Sequence, residues 1–149
     1  MKLLLVASSG GHLAQLVALE AAWRHHDRHW VTFEKADAVS TLHDERVTWA
    51  YHPTTRNVRN ALRNGVLAIR VLLRDRPDVV VSTGAGVAVP FFVVARILRV
   101  RTMYIEVIDR IDLPTLTGRI VYPMSDRFCL QWDEQHASYP DGALVGQAM

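Results

Sequence analysis

The chain has one cysteine, Cys129, which excludes a disulfide framework, and its apolar setting in Arg127-Phe128-Cys129-Leu130 reads as a buried thiol in a reducing compartment. Long apolar runs are also missing. The longest, 87–100, is broken by Pro90, Arg96 and Arg99 and falls short of the roughly 20 clean residues a spanning helix needs. The apolar run at the start is about six residues long, too short for a signal-peptide core, and it leads into a glycine turn. Lysine is scarce. Of 17 basic residues only Lys2 and Lys35 are lysines, so the net charge of +2 rests on arginine and on where the arginines cluster. No Gly-Lys-Ser/Thr and no third spaced glycine occur, which argues against ATP and nicotinamide cofactors. No Asp-x-Asp pair lies in a suitable loop, and Asp109-x-x-Asp112 has the wrong spacing, so neither a metal nor any other cofactor is expected. A strongly positive total charge, a helix-turn-helix and an aromatic-studded sheet signature are absent, which sets nucleic acid aside.

What remains is 149 residues, 50% of them hydrophobic, which is enough for one full core and fits a single domain over 1–149. Short Val-, Ile- and Leu-rich strands are expected at 3–7, 29–33, 47–51, 79–82, 102–106 and 127–131, with helices between them. That alternation predicts an α/β fold, a Rossmann-like parallel sheet built from right-handed crossovers. Leu13, Leu16, Leu19 and Trp23 form one helical stripe, whereas 87–97 is apolar nearly all round and reads as buried. His25, His26 and His29 read as a solvated helix end rather than a metal site.

Sheets of this kind bind ligands beyond the carboxyl ends of their strands. Two glycine turns fall there: Ser8-Ser9-Gly10-Gly11-His12 after the first strand and Thr83-Gly84-Ala85-Gly86 after the fourth. Glycine lets backbone approach a bound group, and unpaired amides at a helix start favour negative charge. The two turns can line one crevice, with His12 at its mouth as a group able to move protons near neutral pH.

The segment 58–74 is the clearest amphipathic helix. At about 100° per residue, Arg56, Arg59, Arg63, Arg70 and Arg74 fall within an arc of roughly 60°, beside Val58, Leu62, Val66, Ile69 and Leu73. Two readings are open: the arginines face an anionic membrane surface, or the apolar stripe packs on the sheet and the arginines face water.

From Tyr104 the chain runs Tyr104-Ile105-Glu106-Val107-Ile108-Asp109-Arg110, then Leu113-Pro114-Thr115-Leu116-Thr117-Gly118-Arg119, Tyr122-Pro123-Met124-Ser125-Asp126-Arg127 and Gln131-Trp132, ending near Tyr139-Pro140 and Gly146. With the two glycine turns, this series resembles the small glycosyltransferase half-subunits typified by PssD and CpsF of bacterial polysaccharide synthesis. Their eukaryotic relative is the membrane-anchoring subunit of the dolichyl-diphosphate-chitobiose-forming GlcNAc transferase. The glycine-rich entry is also distantly similar to the N-terminal half of MurG. The chain departs from the family pattern at Val107, where relatives commonly have serine, and at Asp133, where many have proline.

The resemblance implies the N-terminal, acceptor-side half of a GT-B glycosyltransferase, active only with a donor-binding, PssE-like or CpsG-like second polypeptide. The implied donor is a UDP-sugar, GlcNAc or another UDP-activated hexose. The implied acceptor is a sugar on a polyprenyl diphosphate at the cytoplasmic membrane face. Eukaryotic members carry an N-terminal membrane helix that this sequence does not, so peripheral attachment is expected, through 58–74 with Arg59, Arg63, Arg70 and Arg74 facing the membrane, or through the partner. An inverting transfer needs a base for the acceptor hydroxyl, and His12 or Glu106 is the candidate. Gly10, Gly11, Gly84 and Gly86 would shape the diphosphate pocket, with Ser9, Thr83 and Arg110 as further substrate contacts. Glu106 could instead anchor a loop or pair with Arg110, and Trp132 faces a sugar or closes the core. By family analogy the tail 144–149 docks the partner. Two other roles remain open: a non-catalytic recruiter of the partner, and a stand-alone sugar-phosphate-binding module.

Overall fold

A computed structural model describes residues 1–147, so the last two residues of the tail 144–149 lie outside the described part. The elements run β1 (Lys2–Ala7), α1 (Gly11–Ala18), α2 (Glu20–Trp23), β2 (Asp27–Phe33), α3 (Ala36–Thr41), β3 (Val47–Ala50), α4 (Val58–Asp75), β4 (Val79–Gly84), α5 (Ala88–Ile97), β5 (Arg101–Ile105), α6 (Leu116–Val121), β6 (Arg127–Leu130) and β7 (Ala143–Leu144). Short 3-10 turns occupy Tyr122–Met124 and Asp133–Ala137. All strand pairs are parallel, in the order β3-β2-β1-β4-β5-β6-β7. The chain therefore reverses its direction of travel at β1/β4, which opens a crevice between those two strand ends.

Alternation along the strands divides the core into two layers. Leu4, Val6, Val31 and Val80 pack with Ala68, Val71 and Leu72 of α4, with Phe91 and Phe92 of α5 and with Val121 of α6. Leu3, Leu5 and Val81 pack on the other face with Leu13, Leu16, Trp23, Ala38 and Leu42, contributed by α1, α2 and the region around α3. Helices on both faces explain why the central strands are apolar throughout, as in β1, where five of six residues are buried.

The expected strands are all present, within two residues at their ends. The two-residue strand β7 went unexpected because it is too short for any periodicity, and it builds the start of the tail into the sheet through Val145 N–H to the Leu130 carbonyl. His29 is corrected. It lies inside β2, 4% exposed, with Nδ1 on Asp75 and Nε2 on the Thr48 hydroxyl, and is not part of a solvated helix end.

The larger correction concerns α4. Its sheet side is Asn60, Asn64, Ala68, Val71 and Leu72, whereas Val58 (75% exposed), Leu62 (69%) and Val66 (58%) face away from the protein. The reading in which this stripe packs on the sheet is therefore overturned. Polar residues occupy the inner face because the segment after β3 needs donors and acceptors. The Asn64 amide takes both the N–H and the carbonyl of Tyr51, at 2.9 Å each, and Asn60 Nδ2 donates to the Pro53 carbonyl. Asn57 caps the helix start by accepting from Asn60 N–H, and Arg76 ends it in the left-handed conformation, just before Pro77.

Candidate functional site

The two glycine turns meet. β1 and β4 are neighbours, and a register shift after Val6 sets Ala7 beside Gly84. His12 Nδ1 lies 2.9 Å from the Thr83 carbonyl, and the Thr83 hydroxyl donates to the His12 carbonyl at 2.6 Å. A carbonyl can only accept, so the first contact places the imidazole proton on Nδ1 and leaves the Nε2 lone pair free. His12 as a whole is half-buried.

Backbone conformation explains two of the glycines. Gly10 (φ 79°, ψ −139°) and Gly84 (φ 125°) adopt positive φ that side chains disfavour. At Gly84 a Cβ would also lie 2.9 Å from His12 Cε1 and Nδ1 and from the Tyr104 hydroxyl. Gly86 stands against Thr54, whose Oγ1 would be 3.1 Å from an added Cβ, so the segment between β3 and α4 borders the second turn. Gly11 opens α1. The Gly10 N–H donates to the Asp37 carboxylate at 2.7 Å, so the first turn does hold an anionic group, one supplied by α3.

Glu106 sits elsewhere than expected. It is 0% exposed and accepts from Val107 N–H (3.0 Å), the Thr115 hydroxyl (3.1 Å) and the Tyr139 hydroxyl (2.6 Å). A carboxylate closed in this way is turned into the protein and ties the 106–115 segment to Tyr139, the arrangement of the loop-anchor alternative. Burial first, and then the Glu106 charge, raise the Tyr104 phenol above its ordinary range; burial and the bond to Glu106 do the same for Tyr139. Both phenols therefore stay protonated. Gly118 lies against Glu106, Tyr139 and Thr115, where no side chain fits.

The loop from 106 to 110 is held from the far end of the chain. Gln131 Nε2 donates to the Glu106 carbonyl, Trp132 Nε1 to that of Ile108, and Gln135 Nε2 to those of Val107 and Arg110. Trp132 thus fixes a loop. Arg110 itself is exposed on that loop. Sequence reasoning missed Asp37, Thr54, Tyr104, Thr115, Gln135 and Tyr139, because their roles depend on pairings up to 33 residues apart that leave no local pattern. Arg59, Arg63, Arg70 and Arg74 are exposed along α4; Arg63 stacks on Tyr51 at 5.3 Å, and Arg74 pairs with Asp75 at 2.8 Å. No helix among the described residues is long and apolar enough to cross a membrane.

The sequence pattern of the family described as "Oligosaccharide biosynthesis protein Alg14 like" matches residues 3–148. The UDP-N-acetylglucosamine transferase subunit ALG14 of Rattus norvegicus is 28% identical, covering 97% of this chain and 82% of that protein. The Homo sapiens subunit of the same name is 25% identical, covering 99% and 82%. Among solved structures, Acinetobacter baumannii MurG superposes with a TM-score of 0.74 at 16% identity, covering 90% of this chain and 43% of that one. The UDP-N-acetylglucosamine 2-epimerase of Rickettsia bellii gives 0.76 at 12%, covering 100% and 45%. At these identities the likeness establishes the fold, Rossmann-like α/β, and this chain spans less than half the length of either structure.

Proposed function

This chain belongs to the Alg14-like family of oligosaccharide biosynthesis proteins, and from that membership we propose that it is the acceptor- and membrane-binding subunit of a two-component glycosyltransferase. In this reading it forms the acceptor-side half of a GT-B enzyme on the inner face of the cell membrane. A donor-binding subunit of the PssE or CpsG kind supplies the UDP-sugar, GlcNAc or another UDP-activated hexose. The acceptor is a sugar on a polyprenyl diphosphate.

The observation that supports a chemical role is the reciprocal pairing of His12 with Thr83, which joins the two glycine turns at the β1/β4 strand ends and engages Nδ1 rather than Nε2. In the proposed step the acceptor hydroxyl gives its proton to His12 Nε2 as its oxygen attacks the anomeric carbon. The bond from that carbon to the UDP oxygen breaks, and UDP leaves. Ser9, Gly11, Thr83 and Gly86 would border the acceptor diphosphate, with Arg110 reaching in from its clamped loop. Glu106 is given a positioning role. Membrane attachment is assigned to α4, whose apolar stripe faces outward beside Arg59, Arg63 and Arg70.

The test is UDP release from UDP-GlcNAc with a polyprenyl-diphosphate-sugar acceptor in membranes, comparing this chain, its partner and the mixture. Turnover in the mixture alone is expected. His12→Ala should lower kcat by about 10²- to 10⁴-fold while the two chains still co-purify. Equal turnover by the partner alone would reduce this chain to a recruiter.

A further inference from the structure

We propose that the bilayer contact is the outward surface of the whole α4–α5–α6 layer, not α4 alone, an inference that rests on the membrane reading above. α5 was expected to be buried all round, and it is not. Phe91, Phe92, Val94 and Ala95 face the core, but Val93 (39% exposed) and Ile97 (73%), one turn apart, face the opposite way. α6 repeats the arrangement: Gly118 and Val121 are buried, while Leu116 (74%) and Ile120 (42%) point outward, again at i and i+4. The exposed stripe of α4 is likewise opposite its sheet side. Three neighbouring helices that pack on one sheet face, each with its apolar residues turned away from that sheet, form one surface. At 8–10 Å between adjacent axes it is roughly 20 Å wide.

The charge on this layer selects the occupant. Along the three helices stand Arg59, Arg63, Arg70, Arg74, Arg96 and Arg119, against a single acid, Asp75, whose carboxylate is already taken by Arg74, Arg46 and His29. Arg96 also pairs with Asp126, at 3.8 Å, which leaves Arg59, Arg63, Arg70 and Arg119 with no acid against them among the described residues. These four, interleaved with exposed Leu, Ile and Val, match a leaflet that offers phosphates at its surface and acyl chains beneath. The opposite layer lacks this character. Its first helical turns carry Glu20 and Asp37, and its only large apolar side chain exposed on a described helix is Val39. The sheet would then lie parallel to the bilayer, with the His12 crevice opening sideways along the membrane plane.

The experiment is flotation of the purified chain with vesicles of phosphatidylcholine, with and without phosphatidylglycerol. It compares Leu62→Glu/Ile69→Glu on α4, Val93→Glu/Ile97→Glu on α5, Leu116→Glu/Ile120→Glu on α6 and Val39→Glu on the far layer, all checked for wild-type melting. The α4, α5 and α6 pairs should each lower partitioning by about tenfold or more, the effect of losing buried apolar side chains, and Val39→Glu should bind as wild type. If only the α4 pair weakens binding, the three-helix surface is wrong and the attachment by α4 stands. If no pair weakens it, the membrane reading falls as well. If the α5 and α6 pairs float normally but no longer co-purify with the donor-binding subunit, that surface is a protein interface and the inference is overturned.

Discussion

A methyl group at position 84 would compete for space with the His12 imidazole and the Tyr104 hydroxyl, on a backbone already at φ 125°. Gly84→Ala is therefore expected to lower stability by about 1–3 kcal/mol. It should also cut turnover of the two-chain complex well below that of a surface variant of equal stability, because the His12 ring must shift. Chemical denaturation and steady-state rates on the same preparation separate the two effects. Glu106→Gln asks a different question. The buried carboxylate accepts three hydrogen bonds, and an amide in its place brings an N–H₂ against donors. A loss of about 1–3 kcal/mol in unfolding free energy is expected, with any fall in rate tracking the loosened loop. An intact fold with normal stability and abolished turnover would instead restore Glu106 as the base. The sequence made the glycines and His12 legible because their meaning is local, a turn at a strand end. Glu106 looked equally exposed at its strand end, and only Tyr139, 33 residues later, closes it off.

Helix α4 shows where periodicity stops informing. A helical wheel gives the angle between the arginines and the apolar stripe, and both are as read. It does not say which arc faces the sheet. The arc that does begins with Asn60 and Asn64, residues that pattern as solvent-facing, because the Tyr51 and Pro53 backbone groups need side-chain partners. Spacing of i, i+4 and i+8 through Asn60, Asn64 and Ala68 was the available signal, and ordinary hydrophobicity ranks it below Val58, Leu62 and Val66. Removing the Asn64 amide by Asn64→Ala leaves the Tyr51 N–H and carbonyl without that partner next to the core. We expect a cost of about 2–4 kcal/mol in urea unfolding, against almost none for Arg59→Gln on the outer face.

Across the molecule, the attachment of α4 to the sheet depends on acidity. Burial holds the His29 imidazole below its ordinary 6.5, only partly opposed by Asp75. Burial also pushes the Asp75 carboxyl upward, but the bonds from Arg74, His29 and Arg46 outweigh it and keep that group well under the usual carboxylate range. Both depressed groups bind protons more readily in the unfolded chain. The contribution of His29 is thus complete above pH 6.5 and declines as the pH falls below it, and that of Asp75 declines below 3.8. Unfolding free energy should fall from about pH 7 to about pH 5 in the natural chain and fall less steeply in His29→Gln, as measured by denaturant titration. The parallel sheet was legible in outline from alternating strands, whereas this His29 contact was not, since it joins β2 to the end of a helix 46 residues away.

The clamp on the 106–110 loop has a consequence in time. Its carbonyls are met by side chains of Gln131, Trp132 and Gln135, which leave the ribosome some 25 residues after the loop itself. A nascent chain can pair β1, β2, β3, β4 and β5 and still carry Arg110 on an unset segment, so the loop is set only after the strands that lead into it. The anchor cannot close until translation has passed residue 139, where the Tyr139 hydroxyl reaches Glu106.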